Sequence, residues 1–404
     1  HEAGGSDAQE LAALIASAVD TLRRLDNRTD ISALIPRMSF ALALDGNYGL
    51  GVAKLRAARR LWARILDAMD QQAVPMRLQA VSSGRMLTRY DAWTNMLRNT
   101  AAAFAGAVGG ADIMTIRPFN EALGIPEELG RRIARNTQII AMEESQLGRV
   151  ADPTGGAWFT ESFADDLAEA AWKEFQTIEA EGGYAETLVS GAFQKRIADV
   201  REARAKDIAN RKVPITGVSE FPLLDEITAP IADMPKVTPK DGVSAEGFAH
   251  FVKVDLPADE ADATADALPR IRLAEEYEAL RDAASAAPKR PTIFLATLGP
   301  IAEHNARADF ARNLFAAGGL EATQPPVPPQ SPSEAAAAFK ASGSKIACIC
   351  GADARYEDEA VETAKALKAA GADHVWLAGK FEGDGIDSNI FMGCDVLHTL
   401  KLAH

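Results

Sequence analysis

The feature that most constrains how this chain can fold is the alternation of short β-prone runs with long amphipathic helices. Residues 7–25 place apolar side chains at three- and four-residue spacing behind an Asp cap, which predicts a helix. Three β-prone runs follow at 37–44, 76–81 and 112–116, with helical patterns between them. Strands that are joined through helices of about ten or more residues pair in parallel. The sequence therefore predicts an α/β fold with parallel sheets.

This alternation breaks off at Val213 and resumes after Pro291. Between them the chain is rich in Pro, Asp, Glu and Ala and has weak periodicity, apart from a helix-like stretch at 273–284. The second alternation is typical of a doubly wound domain of flavodoxin type. Its β-prone runs are 292–298, 345–350 and 374–379. We predict three regions, which are an α/β domain at 1–212, a connector at 213–288 that wraps another surface, and a second α/β domain at 289–404.

Composition excludes several classes of protein. A chain of 404 residues with 47% hydrophobic and 25% charged residues can bury more than one core. The net charge of −14 has the wrong sign for a nucleic-acid binder. No apolar run is long enough to span a membrane. Cys348, Cys350 and Cys394 have neither disulfide-framework nor metal-site spacing, so we expect reduced thiols, no metal and a cytoplasmic location.

Seven motifs stand in a fixed order in the first 160 residues. They are E-A-G-G at Glu2–Gly5, P-R-M-S-F at Pro36–Phe40, V-A-K-L-R-A-A-R-R-L-W-A at Val52–Ala63, S-S-G at Ser82–Gly84, N-E-A-L-G-I-P at Asn120–Pro126, R-I-A-R-N-T-Q-I-I at Arg132–Ile140 and A-D-P-T-G-G-A-W at Ala151–Trp158. In this order they resemble the middle of the barrel in the cobalamin-dependent methylmalonyl-CoA mutase family. The pattern of strands and helices alone leaves open a barrel or an open sheet.

The resemblance implies a specific architecture and chemistry. Residues 1–212 would be the C-terminal half of a TIM-type (β/α) barrel, followed by the connector and a flavodoxin-like domain of the cobalamin-binding type. In the family the barrel threads coenzyme A along its axis and interconverts methylmalonyl-CoA and succinyl-CoA by a radical rearrangement. Because the motifs begin in mid-barrel, we expect the N-terminal half of the barrel to lie before His1.

One segment of the flavodoxin-like domain separates catalytic from non-catalytic members. In catalytic members the first loop carries Asp-x-His-x-x-Gly, in which His ligates cobalt, Asp orients the imidazole and Gly lets the nucleotide tail approach. Here residues 299–307 read G-P-I-A-E-H-N-A-R. Aligned from Gly299, the Asp, His and Gly positions hold Ile301, Glu303 and Ala306.

A shifted register does not restore the motif. If His304 is taken as the ligand, the Asp position becomes Ala302 and the Gly position becomes Arg307. We therefore predict that His304 is a turn or cap residue and that this chain holds neither cofactor nor metal.

Three further departures agree with this prediction. Thr297 replaces the Lys that precedes the family loop, Arg355-Tyr356-Glu357 fills the loop after the second strand, and A-G-K replaces a later double glycine. The ending N-I-F-M-G-C-D-V-L-H-T-L also resembles the family's small subunit. The resemblance thus implies a small, non-catalytic subunit, with adenosylcobalamin on a homologous large subunit and acyl-CoA as substrate of the complex.

Two residues match the family's substrate contacts. Arg37 and Ser39 align with the Arg and Ser of the P-R-x-S-F strand on the coenzyme A thioester side, where a buried guanidinium can bind a carboxylate or phosphate. Alternatively, Arg37 completes an ion network inside the barrel. Val81 replaces a family Gln, and His1 is either a shifted counterpart of the family's active-site His or a strand-end residue. No catalytic residue is assigned.

Two other functions remain open. The chain could be an active acyl-CoA mutase whose cobalamin keeps its own dimethylbenzimidazole ligand and needs no protein His. It could also be a non-enzymatic docking module whose flavodoxin-like domain recruits another protein.

Overall fold

The computed structural model describes residues 1–233 and 265–404, so the middle of the predicted connector lies outside the described residues. The described residues form two compact units. The first comprises His1–Arg85, Met96–Arg201 and the described part of Ala229–Arg270. The second comprises Met86–Asn95, Glu202–Thr228 and Ile271–His404.

The first unit contains a parallel sheet of three strands in the order β1-β2-β3. The strands are β1 Ser39–Leu44, β2 Arg77–Ser82 and β3 Ile113–Thr115. Before, between and after them the chain forms the helices α1 Asp7–Leu25, α2 Ile31–Leu34, α3 Tyr48–Ala68, α4 Asn95–Val108, α5 Glu128–Glu143, α6 Trp158–Ala180, α7 Tyr184–Val189 and α8 Ala192–Ala209.

Helix α1 begins with a capping box. The Ser6 hydroxyl accepts a hydrogen bond from the Gln9 backbone N–H at 3.2 Å, and the Gln9 side chain accepts one from the Ser6 N–H at 3.0 Å. The predicted Asp cap is therefore wrong by one position, because Ser6 is the N-cap and Asp7 is the first helical residue. Asp7 still stabilises the helix, since an acid in the first turn faces the positive end of its dipole.

A buried lysine joins α1, β1 and α3. The Lys54 side chain is 1% exposed, and its Nζ donates to the Ala43 carbonyl at 2.6 Å and to Asp7 Oδ1 at 2.7 Å. Glu10 forms a second ion pair with the same ammonium group and also accepts the Ala43 N–H at 2.9 Å. These contacts hold the helices around the end of β1.

The second unit contains a parallel sheet of five strands in the order β5-β4-β6-β7-β8. The strands are β4 Thr292–Thr297, β5 Glu321–Thr323, β6 Ile346–Cys350, β7 His374–Ala378 and β8 Ser388–Ile390. The helices are α9 Glu275–Ala286, α10 Ile301–Ala316, α11 Pro332–Ser342, α12 Val361–Ala369 and α13 Val396–Ala403. Helical turns at Asp353–Arg355 and Tyr356–Ala360 lead into α12.

Both faces of the five-stranded sheet are buried. Trp376 packs edge-to-face on Phe315 with ring centroids 5.4 Å apart on one face, and Phe294 packs on Phe339 at 5.8 Å on the other. A parallel sheet covered on both sides needs apolar residues at successive positions, as in I-A-C-I-C of β6. Both sheets are parallel, so the predicted α/β class is confirmed.

Candidate functional site

The carboxyl ends of β4, β6 and β7 meet at one edge of the second unit's sheet. In doubly wound sheets, ligands bind in the crevice outside these strand ends, where the strand order reverses. The order β5-β4-β6 places that reversal next to β4. The segment 299–307 follows β4 directly and therefore lies at this edge.

Most of the segment predicted as a loop is helical. Helix α10 begins at Ile301, so Ile301, Glu303 and Ala306 all lie within its first two turns. Gly299 alone has loop geometry that requires glycine, because its φ is +73° and a Cβ there would be 2.7 Å from Glu303 Oε2. A helix in place of the loop corrects the sequence-based expectation for these residues.

His304 is a buried helix residue. Its Nδ1 lies 3.0 Å from the Gly299 carbonyl oxygen, which can only accept, so Nδ1 carries the proton and donates. The side chain thereby ties the first turn of α10 to Gly299, two residues before the helix begins. The turn or cap role expected for His304 stays a prediction.

Arg307 and Tyr356 lie over the ends of β6 and β7. The Tyr356 hydroxyl donates to the Ala378 carbonyl at 2.7 Å and accepts from the Gly351 N–H at 2.9 Å. Arg307 donates to the same Ala378 oxygen at 2.7 Å and to Asp353 at 2.6 Å, and its guanidinium lies 5.1 Å from the Tyr356 ring. Burial raises the pKa of Tyr356, so its hydroxyl stays protonated and can donate.

A second ion network covers the start of α10. Arg355 pairs with Glu303 at 2.7 Å and with Glu359 at 2.7 Å. The two carboxylates raise the pKa of the Arg355 guanidinium, which stays charged. Thus Glu303, at the position that the family motif gives to a cobalt-ligating His, is engaged in an ion pair.

The first unit has a separate polar network at the carboxyl ends of β1 and β2. Arg85 is 2% exposed, and its guanidinium donates to the carbonyls of His1 at 3.0 Å and Gly5 at 2.9 Å. It also reaches Asp45 Oδ2 at 3.2 Å and His1 Nε2 at 2.7 Å. Glu2 accepts the Arg85 N–H at 3.1 Å. All of these contacts are made by Arg85, which therefore holds the first residues of the chain and Asp45 together.

The protonation of His1 in this network excludes a serine nucleophile. A guanidinium only donates, so His1 Nε2 accepts from Arg85 and Nδ1 carries the proton. Nδ1 lies 3.2 Å from Ser83 Oγ and therefore donates to it. A histidine that donates to a hydroxyl cannot take its proton, so Ser83 is not activated.

The structure separates the two predicted substrate contacts. Ser39 lines a cleft of about 530 Å³ together with His1, Glu2 and Arg270. Arg37 is exposed in a short helical turn before β1, and it does not belong to the lining of that cleft. Within the described parts of the chain, no carboxylate lies at ion-pair distance from Arg37.

Arg85 and Asp45 were not predicted from the sequence as site residues. The signal was present, because each is a charged residue that comes one to four positions after a β-prone run, where parallel sheets place their polar sites. Residues 1–233 and 265–404 contain no group of three or more His, Cys, Asp or Glu side chains that could hold a metal ion. In the same residues, no helix combines the length and the apolar character that a membrane crossing requires.

Comparison with known proteins extends over the whole chain. Residues 1–305 match the family model for methylmalonyl-CoA mutase. The chain is 44% identical to the methylmalonyl-CoA mutase small subunit of Streptomyces virginiae over 99% of its own length and 62% of the relative's. It is 41% identical to the probable small subunit of Mycobacterium tuberculosis over 94% of this chain and 58% of the relative.

A third relative is also a small subunit of methylmalonyl-CoA mutase. The small subunit of Propionibacterium freudenreichii subsp. shermanii is 35% identical over 99% of this chain and 61% of the relative. The chain thus spans about three fifths of the length of these curated relatives. A family match that covers residues 1–305 decides the classification, and the chain belongs to the methylmalonyl-CoA mutase family.

Proposed function

We propose that this chain is the small, non-catalytic subunit of an adenosylcobalamin-dependent methylmalonyl-CoA mutase, and that a homologous large subunit carries both the corrin and the reaction. The small subunits among its relatives support the assignment to a subunit. The observation that carries the non-catalytic role is the pair Arg307 and Tyr356, which occupies the space in front of the ends of β6 and β7.

The residues at this edge do not fit a corrin. A nucleotide tail requires open space and backbone that it can approach closely, and cobalt requires an oriented imidazole. Here the Tyr356 hydroxyl bridges Gly351 and Ala378, and a Cβ on Gly379 would lie 2.1 Å from Arg307 Nη1. His304 already donates from Nδ1 to the Gly299 carbonyl, just before its own helix. These contacts support the absence of cofactor and metal from this chain.

The same proposal includes the finer architecture. The strand order β5-β4-β6-β7-β8 is that of flavodoxin-like domains and supports such a domain at 289–404. The three parallel strands of the first unit support residues 1–212 as the C-terminal half of a TIM-type barrel, with 213–288 as connector.

The remaining assignments follow from this role. Arg37 and Ser39 are proposed as vestigial contacts to acyl-CoA, the substrate of the complex, and no residue of this chain is assigned to catalysis. Buried, unpaired Cys348, Cys350 and Cys394 support a reducing cytoplasmic location. The partner is the large subunit, and neither nucleic acid nor a membrane is proposed as a partner.

The test is the amount of corrin that each species retains. The chain is purified alone and with the large subunit, adenosylcobalamin is added, and absorbance is recorded after gel filtration. We expect corrin to stay with the pair at about one per heterodimer and to be lost from the isolated chain, because Arg307 and Tyr356 fill its crevice. Retention by the isolated chain would instead favour an active mutase with its own cobalamin.

A matched variant separates the remaining alternatives. His304→Ala removes the one histidine of the 299–307 segment and is expected to leave corrin retention by the pair unchanged. A loss of corrin in this variant would contradict the assignment of His304 to structure. A chain that forms no complex with the large subunit would favour the docking-module function.

A further inference from the structure

One loop of the second unit is closed at its base by a buried asparagine. Residues 88–95 belong to the second unit, although in the chain they follow β2 and lead into α4. Asn95 is 0% exposed, its side-chain oxygen accepts the Thr88 N–H at 3.0 Å, and its side-chain nitrogen donates to the Thr88 carbonyl at 2.8 Å. Loops of about 6–16 residues whose ends are held close together are compact and frequently functional. The 88–95 loop has this form.

A fully buried carboxylate of α9 holds the loop. Glu278 is 0% exposed, and its Oε1 accepts the Arg89 backbone N–H at 2.7 Å. Its Oε2 accepts from Arg89 Nε at 3.0 Å and pairs with Arg272 at 2.7 Å. A buried charge is tolerated only where partners neutralise it and satisfy its lone pairs. Two of these three contacts come from the loop, so opening of the loop removes most of them.

Polar contacts also surround Tyr90 in the same loop. The Tyr90 hydroxyl donates to Asp282 of α9 at 2.9 Å, and the ring lies 3.9 Å from the guanidinium of Arg281. Arg281 is 2% exposed and donates to the Leu223 carbonyl at 2.6 Å, which fixes the guanidinium beside the ring. Arg89 pairs with Asp282 as well. The loop is thus attached to α9 through charges, hydrogen bonds and the ring of Tyr90.

The backbone of the loop is held in a conformation that is unfavourable by itself. Asp91 has a φ of +47°, which places a residue with a Cβ in the sparsely populated left-handed region. Its N–H donates to Glu226 at 2.9 Å, and its carboxylate accepts from the Thr94 hydroxyl at 2.6 Å. Gly217 packs so closely that a Cβ there would lie 2.0 Å from Asp91 Oδ2. Strain of this kind persists only where neighbouring contacts hold it, so loss of those contacts favours opening.

From these observations we infer that the 88–95 loop is a conformational device that opens as one unit, and that the Glu278 carboxylate is the group that keeps it closed. The sheet of the second unit is held by buried apolar residues instead, so it does not have to unfold when the loop opens. This inference does not rest on the proposed function, because every contact that carries it lies within the second unit. It adds a movable element, whereas the proposed function concerns the cofactor and the subunit role.

Hydrogen exchange followed by mass spectrometry on the whole chain tests the role of Glu278. In Glu278→Gln the side chain loses its charge and turns an NH2 donor towards Arg89 and Arg272, which are donors themselves. We expect the amides of residues 88–95 to exchange about tenfold faster or more, because hydrogen bonds to a charged group are lost. The strands β4 and β6 are expected to keep their exchange rates.

Two further variants accompany this measurement. Glu276→Gln is the matched control, since it also neutralises a glutamate of α9, but one that is 53% exposed and pairs with Lys401. Exchange of residues 88–95 should stay unchanged in this control. Arg89→Ala removes the guanidinium of the loop and leaves the pair of Glu278 and Arg272 in place. It is expected to reproduce the fast exchange, and it decides the question if Glu278→Gln does not fold.

The exchange rates distinguish local opening from unfolding. Faster exchange in the loop alone supports a device that Glu278 keeps closed. If residues 88–95 keep the original rate in both variants, Glu278 does not hold the loop and the inference is overturned. If the loop, β4 and β6 accelerate by the same factor, the loop opens only when the second unit unfolds, which overturns the inference as well. None of these outcomes changes the corrin test, because that test measures the cofactor and not the loop.

Discussion

Replacing Lys54 by methionine is expected to lower the free energy of unfolding by about 3–5 kcal/mol. The ammonium group is fully buried and neutralises Asp7 and Glu10, which are themselves only 13% and 16% exposed. Methionine fills a similar volume but leaves two carboxylates facing each other without a counter-charge. It also removes the donor to the Ala43 carbonyl at the end of β1. Urea denaturation monitored by circular dichroism measures the loss.

The control for this variant is Lys173→Met. Lys173 pairs with Glu169 one turn away on α6, and both side chains are about 70% exposed. An exposed pair of this kind is screened by water and salt and contributes little to stability, so this variant should unfold almost like the unchanged chain. The triple variant Asp7→Asn/Glu10→Gln/Lys54→Met should recover part of the stability, because it removes the charges together. A loss below about 1 kcal/mol in Lys54→Met would contradict the role of the buried network.

The pH dependence of the Lys54 contribution has a definite sign. Burial lowers the pKa of Lys54, but Glu10 and Asp7 raise it by more, so the folded-state pKa lies above the ordinary lysine value. The stability from this group is therefore fully present below the ordinary lysine pKa and is lost as pH rises through the folded-state pKa. The difference in stability between the unchanged chain and Lys54→Met should therefore shrink in strongly alkaline solution, where the Lys54 ammonium loses its proton.

The fold class and most strands were predictable from local patterns. The β-prone run at 345–350 and the strand Ile346–Cys350 differ by only one residue, because five successive apolar residues between Lys345 and Gly351 leave little choice. Strands β5 and β8 were not predicted, since each has only three residues, too few to show an alternation of apolar and polar side chains. Helices were expected beyond Pro126 but without bounds, and α6 was not delimited, because its long Ala- and Glu-rich stretch offers only a weak apolar stripe.

The start of α10 shows how a family pattern can override local signals. Residues 299–307 were read as a loop because the family motif is a loop. Pro300 and the acidic Glu303 are ordinary signals for a helix that begins between them. The contacts of the site join residues that are far apart in the sequence, and no local pattern could predict them. Arg307 meets Ala378 across 71 residues, and only the parallel order of β4, β6 and β7 brings them together.

Replacing Tyr356 by alanine is expected to cost about 3–5 kcal/mol of unfolding free energy. Tyr356 is 1% exposed, and it packs among Leu377, Ala360 and the other buried residues on one face of the sheet. Alanine leaves a cavity at this position and also removes the acceptor of the Gly351 N–H and one of the two donors to the Ala378 carbonyl. Thermal and urea unfolding measure the total.

Tyr356→Phe separates the two contributions to that loss. Phenylalanine keeps the ring and removes only the hydroxyl, which should cost about 1–3 kcal/mol, since the Gly351 N–H then lacks its acceptor while the Ala378 oxygen keeps Arg307 as a donor. The remainder of the alanine loss is the cavity. Because an apolar cavity of this size binds small aromatic molecules, p-cresol should raise the melting temperature of Tyr356→Ala and leave that of Tyr356→Phe unchanged.

Equal losses in the two Tyr356 variants would mean that the ring contributes nothing to packing, against its 1% exposure. Corrin retention by Tyr356→Ala adds a functional readout to the same pair of proteins. The cavity left by one ring is far smaller than a nucleotide tail, and Arg307 still donates to Ala378 beside it. We therefore expect Tyr356→Ala to bind p-cresol and still to lose corrin on gel filtration. Exclusion of the cofactor also depends on Arg307 and on the helical start of α10.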